Sequence, residues 1–230
     1  MRTAPASRQP AATAPETTDD RPDSDPRARR RADRREQNRS DILDAAERVF
    51  GEDGIHEGSL RRIAAESGFS AGAVYLFFEN KQDLLTQTLI RRGDELSRAV
   101  GVEAAMDTTP MARLHRIIDV AVDLFAQHPH FRQLFSRMSG GTSIAGPLSA
   151  SLAEGVYDCF TSIMSALAGL IEEGQAVAEI RQGDPMAMAQ LFSVLLNEFV
   201  LLGANPSVGV LTAAQFHGLV DGAFRGEGVK

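Results

Sequence analysis

The 230-residue chain has no tryptophan, two tyrosines and one cysteine. A single cysteine, Cys159, excludes an intrachain disulfide and a thiolate-built zinc site, and it fits a reducing compartment. Alternating runs of Val, Ile and Thr are absent, so strand signal is weak. There is no apolar h-region near the N-terminus. No apolar run reaches the roughly 18 residues of a membrane helix. The nearest candidate, 191–202, is interrupted by Asn197 and Glu198. Phosphate-cradling glycine loops and strand-turn-helix cofactor motifs are missing. The stretch "GGTSIAG" fails as a nucleophile elbow, because Ala145 stands at the last glycine position and no strand precedes Ser143. These absences point to an all-α protein of the cytoplasm that is not an enzyme, with no cofactor, no metal and no membrane partner.

What is present is polarised. The net charge of −7 taken alone argues against nucleic acid. Yet Arg27, Arg29, Arg30, Arg31, Arg34, Arg35 and Arg39 form one run opposed only by Asp33 and Glu36, whereas from Gly93 onward eight basic residues face fifteen acidic ones. A small anion-binding module on a larger acidic body has this distribution. Half of the ten prolines fall in residues 1–26, a composition too poor in apolar surface to offset ordering entropy and therefore expected to be disordered.

About nine helices are expected. The first begins in the arginine run and ends at Phe50, stopped by Gly51 and Gly54; Ile42, Ala46, Val49 and Phe50 share one face. Ser59 caps a second helix to Ser67, Gly68 supplies a sharp turn, and Ser70 caps a third to about Phe77. Asn80 caps a long fourth helix. Further helices are expected over 111–127, 131–138, 148–173 and 185–202. Thr212 opens the last with a capping box to Gln215, and Leu211 is placed to meet Phe216.

Three short helices and a long one, with glycine at the second turn, form a helix-turn-helix pattern. The stretches "ILDAAERVFGEDGI" and "GSLRRIAAESGFSAGAVYLFFENKQDLL" make it specific. Over Asp41 to Leu89 they resemble the tetracycline-repressor (TetR) family of transcriptional regulators. The resemblance rests on I-L-x-A-A-x-x-x-F, I-A-x-x-x-G, S-x-G-x-x-Y and F-x-x-K-x-x-L in order. Beyond that stretch the likeness is only helical content and length.

The resemblance implies a DNA-binding domain over 27–83 and a ligand-binding and dimerisation domain over 84–230. It implies a one-component repressor that binds a palindromic DNA operator as a homodimer and is released by a small apolar effector. The expected DNA-binding residues are Ser59, Arg61, Arg62, Ser70, Ala71, Gly72, Ala73, Tyr75, Leu76 and Lys81. Ser59 sits at a helix N-terminus, where free N–H groups favour phosphate. Gly72 permits close backbone approach, the Tyr75 hydroxyl suits a phosphate oxygen, and Lys81 matches the family's phosphate-binding lysine. Phe50, Ile63, Phe69, Val74 and Phe78 are expected to form the unit's small core. Ala71, Leu76 and Phe77 depart from the family, which often has polar or basic groups there. Base readout then leans on thymine methyls, on DNA shape or on the arginine run. That run reads two ways, as an arm on phosphates or in a minor groove, or as solvated charge.

Met186 to Leu202 is apolar around nearly its whole circumference, so the last two helices are expected to pair with a second copy. The effector pocket is expected among Phe125, Phe131, Phe135, Met138, Tyr157, Phe160, Met164 and Phe192, against the plainer reading of Phe and Met at helical spacing as core. Asn197 or Glu198 is a candidate polar anchor. His115, Asp119 and Asp123 share a helical face and read as a polar stripe before a metal site. An architectural DNA binder without an effector is the alternative function.

Overall fold

The computed structural model describes residues 26–139, 154–202 and 211–226. Among them are nine helices and no strand: α1 (Pro26–Asp53), α2 (Leu60–Glu66), α3 (Ala71–Val74), α4 (Lys81–Ala104), α5 (Pro110–Gln127), α6 (Pro129–Ser139), α7 (Glu154–Ala176), α8 (Pro185–Leu202) and α9 (Ala213–Phe224). The fold is all-α, as expected. The expected start of α7 at 148 and the 1–25 tail lie outside the described residues. Two compact units divide the chain, 1–37 and 38–230. Of the first, residues 26–37 are described, and they are exposed turns of α1, so the arginines from Arg27 to Arg35 stand on a regular helix.

In the second unit, α1 buries Ile42, Ala45, Ala46, Val49 and Phe50. It does not stop at Gly51. That glycine is helical and buried, and a Cβ on it would lie 2.5 Å from the His130 carbonyl oxygen at the start of α6. Its role is close approach of two backbones, not helix termination.

Each short helix is closed by its own side chains. The Ser59 hydroxyl accepts from Arg62 N and the Ser70 hydroxyl from Ala73 N, both at 3.2 Å. Past the end of α2, Phe69 N donates to Ala64 O at 2.8 Å and Gly68 N to Ala65 O at 3.3 Å, the paired bonds of a Schellman motif. They require Gly68 at φ +75°. A Cβ there meets nothing within 4 Å, so Gly68→Ala adds no clash and costs only the left-handed backbone of an L-residue, about 1 kcal/mol. Urea denaturation of the two proteins measures this; equal midpoints would contradict the assignment.

The third helix is shorter than its sequence suggests. After Val74 the chain tightens into turns, with Leu76 N bonded to Ala73 O and Phe77 N to Val74 O. Beyond it, Asn80 accepts from Asp83 N at 2.9 Å and opens α4. Buried Arg113 of α5 donates to Ala104 O at the end of α4 (2.8 Å) and also binds Glu173 of α7. That hydrogen bond holds the Glu173 carboxyl below the usual range.

A continuous apolar core runs from Ile42 to Phe224. In it α8 buries Ala189, Phe192, Leu196 and Val200, one stripe of the helix. With 18 residues and a mean hydropathy of 1.5, α8 is long and apolar enough to cross a membrane by length and composition alone. This corrects the expectation that no run reaches that length. Both bonds of the expected capping box open α9. Phe216 stacks on Phe199 at 4.2 Å, while Leu211 stays exposed.

Candidate functional site

The α2–α3 unit turns an unusual set of groups to solvent. Ser70, Ala71, Gly72, Tyr75 and Leu76 are exposed, Leu76 to 73% and Tyr75 to 55%. Val74 and Phe78 are buried beneath them with Phe50 and Ile63, and Phe69 and Phe77 pack against each other at 6.4 Å. So in the aromatic run Tyr75 faces out while Phe77 and Phe78 turn inward. Ala73 is half-buried. Arg61 and Ser59 are exposed, the latter with its oxygen engaged in the cap. The Lys81 ammonium, with three N–H donors, gives one to the His56 carbonyl at 2.8 Å.

Arg62 is placed differently from the expectation. It binds Asp53 and Glu52 of α1 and, at 2.8 Å, Glu66 of its own helix. The hydrogen bond to Asp53, then those to Glu52 and Glu66, hold the guanidinium firmly in its charged form. Three carboxylates already compensate its charge, so it serves to tie α2 to α1. Arg39 is likewise structural, bonded to Gln87 at 2.8 Å and lying over the Phe78 ring at 5.4 Å.

Sequence reading missed the charged clasp between α1 and α4. Glu47, only 6% exposed, accepts at one oxygen from Arg92 (2.8 Å) and from Arg91 (3.1 Å). Arg91 also pairs with Asp44 at 2.8 Å, and Arg92 with Glu95 at 2.8 Å. Burial pushes the Glu95 carboxyl up, but the hydrogen bond and charge of Arg92, aided by His128, outweigh it and hold it low. A signal was available: Glu47 lies four residues after Leu43 and three before Phe50, on the apolar face of its helix.

Beside this clasp lies a cavity of about 330 Å³. Seven of the eight aromatic and methionine residues singled out in the sequence line it. Phe125, Phe131 and Phe135 form a cluster with ring centroids 5.4–6.0 Å apart, and Met138, Tyr157, Phe160 and Met164 complete the set. Phe192 does not line it; fully buried, it meets Phe224 edge-on at 5.9 Å. Leu89, Arg92, Gly93, Leu96 and Val100 of α4 form another wall, and Asn197 reaches the cavity while Glu198 is exposed. Cys159 also lines it. Burial, then hydrogen bonding to Asp94, pushes its thiol up to about 11, so it is protonated and unreactive at neutral pH.

Outside the cavity, His115 does not share a stripe function with Asp119 and Asp123. Its Nε2 lies 2.9 Å from Asp221 of α9, and its ring stacks at 4.5 Å on His217, whose Nε2 is 3.0 Å from Asp119. These pairs seal α5 to α9. No group of three or more His, Cys, Asp or Glu able to hold a metal occurs among the described residues.

An exposed helix-turn-helix at the head of α4 and an apolar cavity along the same helix define a DNA-binding regulator of the helix-turn-helix class. Residues 42–88 match the family described as "Bacterial regulatory proteins, tetR family". The fatty acid metabolism regulator protein of Bacillus subtilis is 24% identical over 65% of this chain and 74% of its own length. FadR of B. subtilis in complex with stearoyl-CoA shares the fold at TM-score 0.65 and 21% identity, over 79% of this chain and 96% of that one. AibR in complex with isovaleryl coenzyme A and operator DNA shares it at 0.64 and 18%, over 83% and 100%.

Proposed function

We propose that this transcriptional regulator is a one-component repressor of the bacterial cytoplasm, binding a two-fold operator as a homodimer and released by a small, largely apolar effector. The observation that carries this reading is that one helix serves both sites: α4 begins at Lys81 beside the helix-turn-helix and lines the cavity from Leu89 to Val100. Arg92 stands in the cavity wall and holds Glu47 of α1, so a shift of α4 on filling the cavity displaces the DNA-binding unit with it. Release requires that the effector bind the displaced arrangement more tightly than the operator-bound one.

In this reading Ser70, Ala71, Gly72, Ala73, Tyr75 and Leu76 enter the major groove, and Ser59, Arg61 and Lys81 hold phosphates. The helical arginines from Arg27 to Arg35 add charge on the backbone. The dimer forms through α8 and α9, whose Met186, Leu191, Leu202 and Leu219 are exposed. Pairing would cover this apolar surface and account for the composition of α8 without a bilayer.

Duplex selection followed by footprinting tests the reading. A discrete two-fold site is expected, with Tyr75→Phe and Lys81→Ala weakening all sequences alike, because phosphate contacts position rather than specify. Lys81→Ala lowers the salt slope by about one unit. Uniform coating of DNA, or wild-type affinity in both variants, would overturn it.

A further inference from the structure

We propose that the effector of this cavity is an uncharged amphiphile, an apolar body ending in a hydroxyl or carboxamide held by α8, and that carboxylates and acyl-coenzyme A are poor ligands. The inference rests on the cavity being an effector site. Its first support is the polar lining. Gln190, Ser193 and Asn197 stand at i, i+3 and i+7 on α8 and reach the cavity together, on one face of the helix. The Asn197 amide donates to the Ser193 hydroxyl at a long 3.5 Å, which leaves both groups able to turn toward a ligand. Amide and hydroxyl each offer a donor and an acceptor. They match an end-group that does the same, which an alcohol or carboxamide is and an ionised carboxylate is not.

The second support is electrostatic. Arg92 is the one charged residue lining the cavity among the described residues. Its Nε and Nη1 are already bonded to Glu47 and Glu95, both at 2.8 Å. With Arg91 and Asp44, two guanidiniums face three carboxylates in this cluster. An anion entering here finds no uncompensated cation and an acidic neighbourhood. Burying an unpaired charge is heavily penalised, whereas a neutral polar group with a partner is tolerated. The Phe125–Phe131–Phe135 cluster, with Phe160, accepts the apolar body.

Calorimetric titration of the full chain at neutral pH with probes sharing one body decides this: 1-decanol, decanamide, decanoate and decanoyl-coenzyme A, then 2-naphthylmethanol against 2-naphthoate. The expected result is that the neutral member of at least one series binds tenfold or more tighter than its anion. Asn197→Leu and, separately, Ser193→Ala should each narrow that ratio to below about threefold, with Phe135→Ala weakening neutral and anionic members alike. Decanoate, 2-naphthoate or decanoyl-coenzyme A binding as tightly as its neutral counterpart overturns the proposal while leaving the effector cavity standing. Absence of binding by every probe overturns the effector reading itself, and this proposal with it.

Discussion

Glu47→Gln is expected to destabilise the protein by about 3 kcal/mol, the range observed when one partner of a buried ion pair is removed. For a domain of this size that is a melting-point drop of about 6–12 °C. The amide keeps the shape of the side chain, so the loss reports charge and not volume. One Glu47 oxygen receives both Arg91 and Arg92. Without its charge two neighbouring guanidiniums, 22% and 13% exposed, are left with Asp44 and Glu95 as their carboxylate partners. Glu95→Gln is the comparison. Its side chain is 38% exposed, solvent screens the pair, and the expected cost is below about 1 kcal/mol. Thermal and urea denaturation of both variants measure the difference. A loss under 1 kcal/mol at Glu47 would show that water reaches the clasp and that α1 is not anchored to α4 by it. Loss of the anchor should also appear as weaker operator binding, measured by titration of a duplex with both variants.

Gly51→Ala is expected to destabilise by about 1–3 kcal/mol, although helix propensity alone predicts a gain of roughly 1 kcal/mol for the same change. The two effects oppose, and the contact decides which wins. A Cβ at Gly51 would sit 2.5 Å from the His130 carbonyl oxygen and 3.0 Å from the His130 carbonyl carbon and Cα. All three are main-chain positions at the start of α6, which cannot swing aside as a side-chain tip does. Gly101, inside α4 with nothing within 4 Å of its added Cβ, isolates the propensity term. Gly101→Ala should stabilise by up to about 1 kcal/mol. Denaturation midpoints that move the same way in both variants would mean that α1 and α6 do not approach as closely as described.

Gly51 also shows how far the sequence carries. A glycine after a run of helical periodicity, such as Gly51, reads locally as a helix end. Its actual role depends on His130, nearly eighty residues away, which no local pattern registers. The recognition segment behaved differently. Ser59, Gly68, Ser70 and Asn80 act through bonds to residues three positions away, so their roles were legible from spacing. Tyr75 stands outward as its match to the S-x-G-x-x-Y motif of the family implies, and Phe78 turns inward as expected of the unit's small core. The helix ends at Val74, with Tyr75 as its C-cap and turns over 75–77, before Asn80 takes the extended backbone that caps α4, so α3 is shorter than its apolar pattern.

At the cavity, seven of eight lining candidates were legible as Phe, Met and Tyr on converging helices. Phe192 was not distinguishable from them, because composition cannot tell a side chain that meets empty space from one that meets Phe224. Arg62 and Arg92 mark the same limit for charge. Arginine on an exposed-looking helix face reads as a phosphate contact or a solvated group. Which it becomes depends on where Asp53, Glu52 and Glu66, or Glu47 and Glu95, are brought by packing.

The sequence by itself determined the helices, their caps, the turn at Gly68 and membership of the helix-turn-helix class, because these rest on interactions within about five residues along the chain. Only the tertiary structure decided which arginines are already neutralised, which glycine marks a backbone crossing and which aromatic rings border a cavity. Those are properties of distance in space between residues tens of positions apart, and a charge or an apolar ring carries no local mark of the partner it will meet.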